Sequence, residues 1–126
     1  MKPVFSTSEP PILKVTGRNY GYPVRRIFCV GRNYAEHVLE LGNKVEKKQP
    51  FYFTKSAFSL LGSEKNLTYP PMTNELHHEV ELVVAIAKPL QKANRKDLKG
   101  SIFGYACGLD MTKRDLQSIA KKQGKP

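Results

Sequence analysis

Residues 79–87 constrain the fold most, because they read as the strongest strand in the chain. Val80, Leu82, Val83, Val84 and Ile86 are β-favouring and apolar. The start of this strand is acidic: Leu76-His77-His78-Glu79-Val80-Glu81-Leu82. Residues two apart in a strand share a face, so Glu79 and Glu81 project side by side, with His77 in line before them. Paired carboxylates repel, and desolvating each without a partner costs on the order of several kcal/mol. Either the strand end faces solvent or a cation neutralises it. Carboxylate oxygens are hard donors, favouring Mg²⁺, Mn²⁺ or Ca²⁺ over zinc. A zinc-protease HExxH motif is excluded, since Leu82 stands where the second His is required.

Around this strand the pattern is mixed. Residues 1–24 are rich in Pro, Gly, Ser and Thr and read as an arm with one short strand. Residues 26–31 form a short apolar run closed by Gly31, a buried strand. A helix is expected over 34–41, with Gly42-Asn43 as its stop. Residues 51–55 are aromatic and strand-like, whereas Pro70-Pro71 keeps 63–74 irregular. A short polar helix or turn follows at 92–98, then a glycine-interrupted strand at 101–109. A last helix is expected over 112–123, capped by Thr112 and ended by Gly124, with Leu116, Ile119 and Ala120 on one face. Strand and helix alternate without repeats, an α+β domain spanning residues 25–126 after the arm.

Two further clusters carry chemistry. Asp110 is expected where the 101–109 strand gives way to the last helix, either as a helix cap or as a third carboxylate beside Glu79 and Glu81. His37 and Glu40 lie three apart on the 34–41 helix, either a surface pair or a base oriented by a carboxylate. Arg32, in the turn after Gly31, offers a guanidinium for a carboxylate. No glycine-rich phosphate loop occurs.

Composition narrows the partners. The 126 residues carry 21 Lys+Arg against 11 Asp+Glu, a net charge of +10. That surplus favours an anionic partner without naming it. Nucleic acid is disfavoured: there is no arginine-rich run or recognition motif, and the six tyrosines are expected in the core. No run of 18 apolar residues could span a membrane, and the amino terminus has no apolar stretch of signal-peptide length. Cys29 and Cys107 sit in apolar runs and are expected as reduced core residues of a cytoplasmic protein.

Taken together, three segments resemble one family. Residues 28–37 (Phe-Cys-Val-Gly-Arg-Asn-Tyr-Ala-Glu-His), residues 76–82, and residues 104–117 (Gly-Tyr-Ala-Cys-Gly-Leu-Asp-Met-Thr-Lys-Arg-Asp-Leu-Gln) are similar to motifs of the fumarylacetoacetate hydrolase family. The resemblance is to its small acylpyruvate hydrolase and oxaloacetate decarboxylase branch. It implies a mixed-sheet β-roll, a divalent metal (Mg²⁺ or Mn²⁺) held by Glu79, Glu81 and Asp110, and a His37–Glu40 dyad on a lid helix. It places Arg32, Lys55, Arg114 and Gln117 at the substrate, a small anionic 2-oxo acid, and it implies a homodimer. The implied chemistry is C–C bond hydrolysis or decarboxylation through enolate stabilisation. Family members continue beyond residue 126, with a further active-site lysine. The resemblance therefore implies an incomplete roll, and weak or no turnover by this chain alone. A non-catalytic remnant or subunit-pairing fragment is the alternative.

Overall fold

The computed structural model describes residues 2–31, 33 and 50–125. Arg32 and the expected 34–41 helix, with His37 and Glu40, lie outside the described residues. The chain divides into two units, residues 1–67 and 68–126.

In the first unit, β1 (Ile12–Lys14) and β2 (Gly21–Pro23) form an antiparallel hairpin. The arm thus holds two short strands rather than one. Gly17 takes φ 71° between them, a left-handed conformation that side chains with a Cβ resist. The Val24 N–H donates to the Pro11 carbonyl at 2.8 Å and extends the pairing. The next hairpin pairs β3 (Ile27–Gly31) with β4 (Phe51–Lys55), Ile27 opposite Lys55 and Gly31 opposite Phe51. One turn of 3₁₀ helix, Ala57–Ser59, follows, and the Ser56 hydroxyl caps it by accepting from the Phe58 N–H at 3.2 Å. The buried apolar residues of this unit are Val24, Cys29 and Ala57.

The second unit is built on a long antiparallel hairpin, β5 (Leu76–Ile86) with β6 (Ile102–Lys113). Their connection contains a short helix, α1 (Arg95–Lys99), started by a capping box. Asn94 accepts from the Lys96 and Asp97 N–H groups, and Asp97 accepts from the Asn94 N–H. The chain ends in α2 (Arg114–Lys122). Gly124, at φ 65°, closes it: its N–H donates to Lys121 O at 3.1 Å and the Lys125 N–H to Ala120 O at 2.9 Å. Those two bonds satisfy last-turn carbonyls that would otherwise lack donors.

Several expectations are corrected. The 101–109 strand does not stop before Asp110 but runs on to Lys113, because Leu76 and its successors pair with it to that point. Thr112 lies inside β6 and donates to Asp110 O at 3.3 Å instead of capping the helix; Lys113 is the N-cap and makes no side-chain capping bond. Cys107 is exposed, though Cys29 is buried, and no disulfide joins them. Tyr20, Tyr52, Tyr69, Tyr105 and all six phenylalanines are exposed rather than core. Sheets dominate and helices are few. Among the described residues every strand pairing is antiparallel, in three two-stranded sheets.

Candidate active site

The β5–β6 register decides what the acidic strand can do. Glu79 stands opposite Asp110, and Glu81 opposite Gly108. Residues opposite each other in an antiparallel pair share a face. Glu79, Glu81 and Asp110 therefore occupy one face, with His77 and Thr112 beyond them on the same side. Small residues (Gly104, Ala106 and Gly108) fill the rest of that face on β6. The other face carries Val80, Leu82, Val84, Tyr105 and Leu109.

Burial runs against a simple reading of these faces. Glu79, Glu81 and Asp110 are half-buried, whereas Leu82 is 67% exposed and Val80 60%. The carboxylates are not a solvated strand end. Their repulsion calls for a counter-charge, and Arg114 supplies one. At the first position of α2, Arg114 sends Nη2 to Glu79 Oε1 at 2.5 Å, with side chains 14% and 22% exposed. Its Nε donates to His77 Nδ1 at 3.3 Å and its Nη1 to Gln117 Oε1 at 2.6 Å. One guanidinium thus gathers a carboxylate, an imidazole and an amide. Arg114 and Gln117 meet because residues three apart on a helix are neighbours.

What fixes Arg114 is the anchoring of α2. The Arg114 N–H donates to Glu75 O at 2.8 Å, and Lys113 Nζ to Pro71 O at 2.7 Å. Asp115 Oδ1 accepts from the hydroxyl of buried Thr73 at 2.6 Å and the Leu116 N–H at 2.8 Å; its Oδ2 accepts from the Asn74 N–H at 2.9 Å. The Thr73 hydroxyl, followed by the Asn74 N–H, holds the Asp115 carboxyl below the usual carboxylate range. Thr73 and Asp115 are positioning residues that sequence reasoning missed. They sit 42 residues apart, Thr73 in a segment legible only as a proline-interrupted loop and Asp115 in the last helix.

Of the remaining expected site residues, Lys55 ends β4 in the first unit. It lines an open concavity of about 380 Å³ with Arg25, Arg26, Phe28 and Phe58. Arg32, His37 and Glu40 fall outside the described residues.

The donor set suits a hard divalent cation: three carboxylates on one face, in a half-buried setting that needs positive charge. Among the described residues, no three His, Cys, Asp or Glu side chains converge into a group able to hold a metal ion. The three carboxylates share a strand face, and Glu79 is turned to Arg114.

The sequence model of the fumarylacetoacetate (FAA) hydrolase C-terminal family matches residues 26–125. The chain belongs to this family. The mitochondrial oxaloacetate tautomerase of Caenorhabditis elegans is 46% identical over 101 residues, covering 80% of this chain and 47% of that protein. A fumarylpyruvate hydrolase of a Ralstonia species is 47% identical over 88 residues, 68% of this chain and 46% of that protein. The crystal structure of fumarylpyruvate hydrolase from Pseudomonas aeruginosa, in complex with Mn²⁺ and pyruvate, superimposes with a TM-score of 0.92. It is 40% identical and covers 99% of this chain and 55% of that one. The chain thus spans about half the length of the relatives it matches.

Proposed function

We propose that this chain carries the metal-binding and oxo-acid-binding part of a fumarylacetoacetate hydrolase-family enzyme acting on small 2-oxo acids. The observation that carries the reading is the register, which sets Asp110 opposite Glu79 and beside Glu81. The Mn²⁺ and pyruvate in the Pseudomonas aeruginosa structure support it. Glu79, Glu81 and Asp110 hold Mg²⁺ or Mn²⁺. When bound, the ion supplies Lewis-acid polarisation of the keto and carboxylate oxygens of a 2-oxo acid. Arg114 and Gln117 orient the carboxylate of the substrate, the guanidinium by charge-assisted hydrogen bonds. Lys55 and Arg32 add positive charge for the same anion. His37, oriented by Glu40, takes a proton, either from water attacking the distal carbonyl or from the carbon beside the keto group. Hydrolysis, decarboxylation and tautomerisation all require negative charge to be stabilised at that keto oxygen, and relatives named for each reaction share this half of the chain.

The β-roll architecture and a homodimer belong to the same proposal. The exposed apolar face of β5–β6 and the exposed Leu116 and Ile119 of α2 supply surface for pairing. Reduced Cys29 and Cys107 suit a cytoplasmic or other reducing compartment. The test is turnover of oxaloacetate and acetylpyruvate with Mg²⁺. Weak activity, just above the uncatalysed rate and lost in His37→Ala, is the expected result. Turnover unchanged in His37→Ala overturns the assigned dyad, and no turnover with either substrate, at any chain concentration, favours a non-catalytic subunit-pairing role.

A further inference from the structure

The first unit gathers positive charge and aromatic surface at the end of its second hairpin, where β3 begins and β4 ends. The register sets Ile27 opposite Lys55, so Arg25 and Arg26, just before β3, come beside Ser56 and the 3₁₀ turn that follows β4. Both arginines line the concavity of about 380 Å³, with Phe28, Thr54 and Phe58, and no acidic side chain among the described residues lines it. Arg25 and Arg26 are exposed, and no described carboxylate pairs with either. The Arg26 guanidinium carbon stands 5.8 Å from the centre of the Phe28 ring, within cation–π range. Phe28 is 60% exposed and Phe58 66%. The Ser56 hydroxyl accepts from the Phe58 N–H at 3.2 Å, and a hydroxyl that accepts keeps a proton to donate.

We infer that this concavity is a seat for a carboxylate carried on a flat apolar body, an aromatic or conjugated acid. Guanidiniums present planar N–H forks that match a carboxylate bidentately, which an ammonium does not. The Phe28 and Phe58 rings add apolar surface at the same place, and a flat ligand gains by offset or edge contact with such rings. A small aliphatic acid or inorganic phosphate would use the arginines and leave the rings in water. A neutral ring would do the reverse. Only a ligand with both parts uses the whole lining. The volume lies at the lower end of small-molecule sites, roughly 300–1,000 Å³, enough for one ring and its carboxylate. Lys55 lines the same concavity but is already engaged, so the forks are those of Arg25 and Arg26. The seat uses the first unit alone and does not depend on the metal reading.

Titration of the isotope-labelled full chain with benzoate, benzamide, acetate and inorganic phosphate, followed by amide NMR shifts, tests the inference. Benzoate carries both parts, benzamide lacks the charge, and acetate and phosphate lack the ring. The expected result is saturable shifts with benzoate at residues 26–28 and 54–58. Its Kd is expected on the order of millimolar, because an open concavity covers only part of a small ligand. Acetate, phosphate and benzamide are each expected to bind about tenfold more weakly. A double variant, Arg25→Gln with Arg26→Gln, is expected to weaken benzoate binding by about tenfold as well. Both arginines are exposed, so the substitutions leave the buried Val24, Cys29 and Ala57 untouched. Acetate or phosphate binding as tightly as benzoate overturns the flat-body requirement, and benzamide binding as tightly overturns the carboxylate. No saturable shift in this region of the unmodified chain, or benzoate binding unchanged in the double variant, overturns the seat itself.

Discussion

Asp115 is the residue whose environment is most completely specified by the chain's own hydrogen bonds. It receives the Thr73 hydroxyl and the Asn74 and Leu116 N–H groups, and its position in the first turn of α2 places negative charge at the positive end of the helix dipole. Its folded pKa is depressed, chiefly by Thr73. The stabilisation it provides is therefore complete above the ordinary Asp value of about 3.9 and is lost as pH falls through the lower folded value. A carboxyl-carbon NMR titration should give Asp115 a midpoint below that of ordinary Asp, and Thr73→Val should raise it. An ordinary midpoint in the unmodified chain would remove Asp115 from the anchoring of Arg114. None of this was visible in the sequence, where Asp115 was one charge in a helix and Thr73 part of an irregular loop. By contrast, Glu79 and Glu81 were legible as a pair, because strand periodicity alone puts them on one face. That Arg114 pairs with Glu79 requires the fold of the 71–75 segment, and no local pattern encodes it.

At the scale of elements, β5 was legible because its β-branched run is long and uninterrupted, although it begins three residues earlier, at Leu76. Its partner was harder. Gly104 and Gly108 look like breaks, and Thr112 and Lys113 look like the polar start of a helix. Pairing with Leu76 and His77 nevertheless keeps 112–113 in the strand. Cross-strand pairing overrides weak local preference. Gly108 has a specific role there: a Cβ at this position would lie 2.8 Å from Val83 Cγ2, on the face that carries Glu81. Gly108→Ala is expected to cost about 1–3 kcal/mol through overpacking against Val83, read as a lower denaturation midpoint. Gly124→Ala, at φ 65°, should destabilise by roughly 1 kcal/mol.

Much apolar surface is exposed: among the described residues no large side chain is fully buried, and the hydrophobic face of β5–β6 is open. The expected behaviour in isolation is strong binding of a hydrophobic dye and a light-scattering mass above 14.2 kDa at micromolar concentration. A 14.2 kDa species that leaves the dye dark would contradict the assignment of that face to pairing. The +10 net charge takes on a narrower meaning at this scale. Residues 88–126 carry ten Lys+Arg against three Asp, and one of them, Arg114, is committed to the acidic face rather than to a nucleic acid.

The most direct measurement is a Mn²⁺ titration of the chain alongside Glu79→Ala, Glu81→Ala and Asp110→Ala, with folding of each checked by circular dichroism. The expected result is saturable 1:1 binding (one ion per acidic face) that each substitution weakens at least tenfold, since each removes one of three hard oxygen ligands. Binding of equal strength in all four proteins, or none in the folded original, would contradict the claim that these three carboxylates form a divalent-metal site.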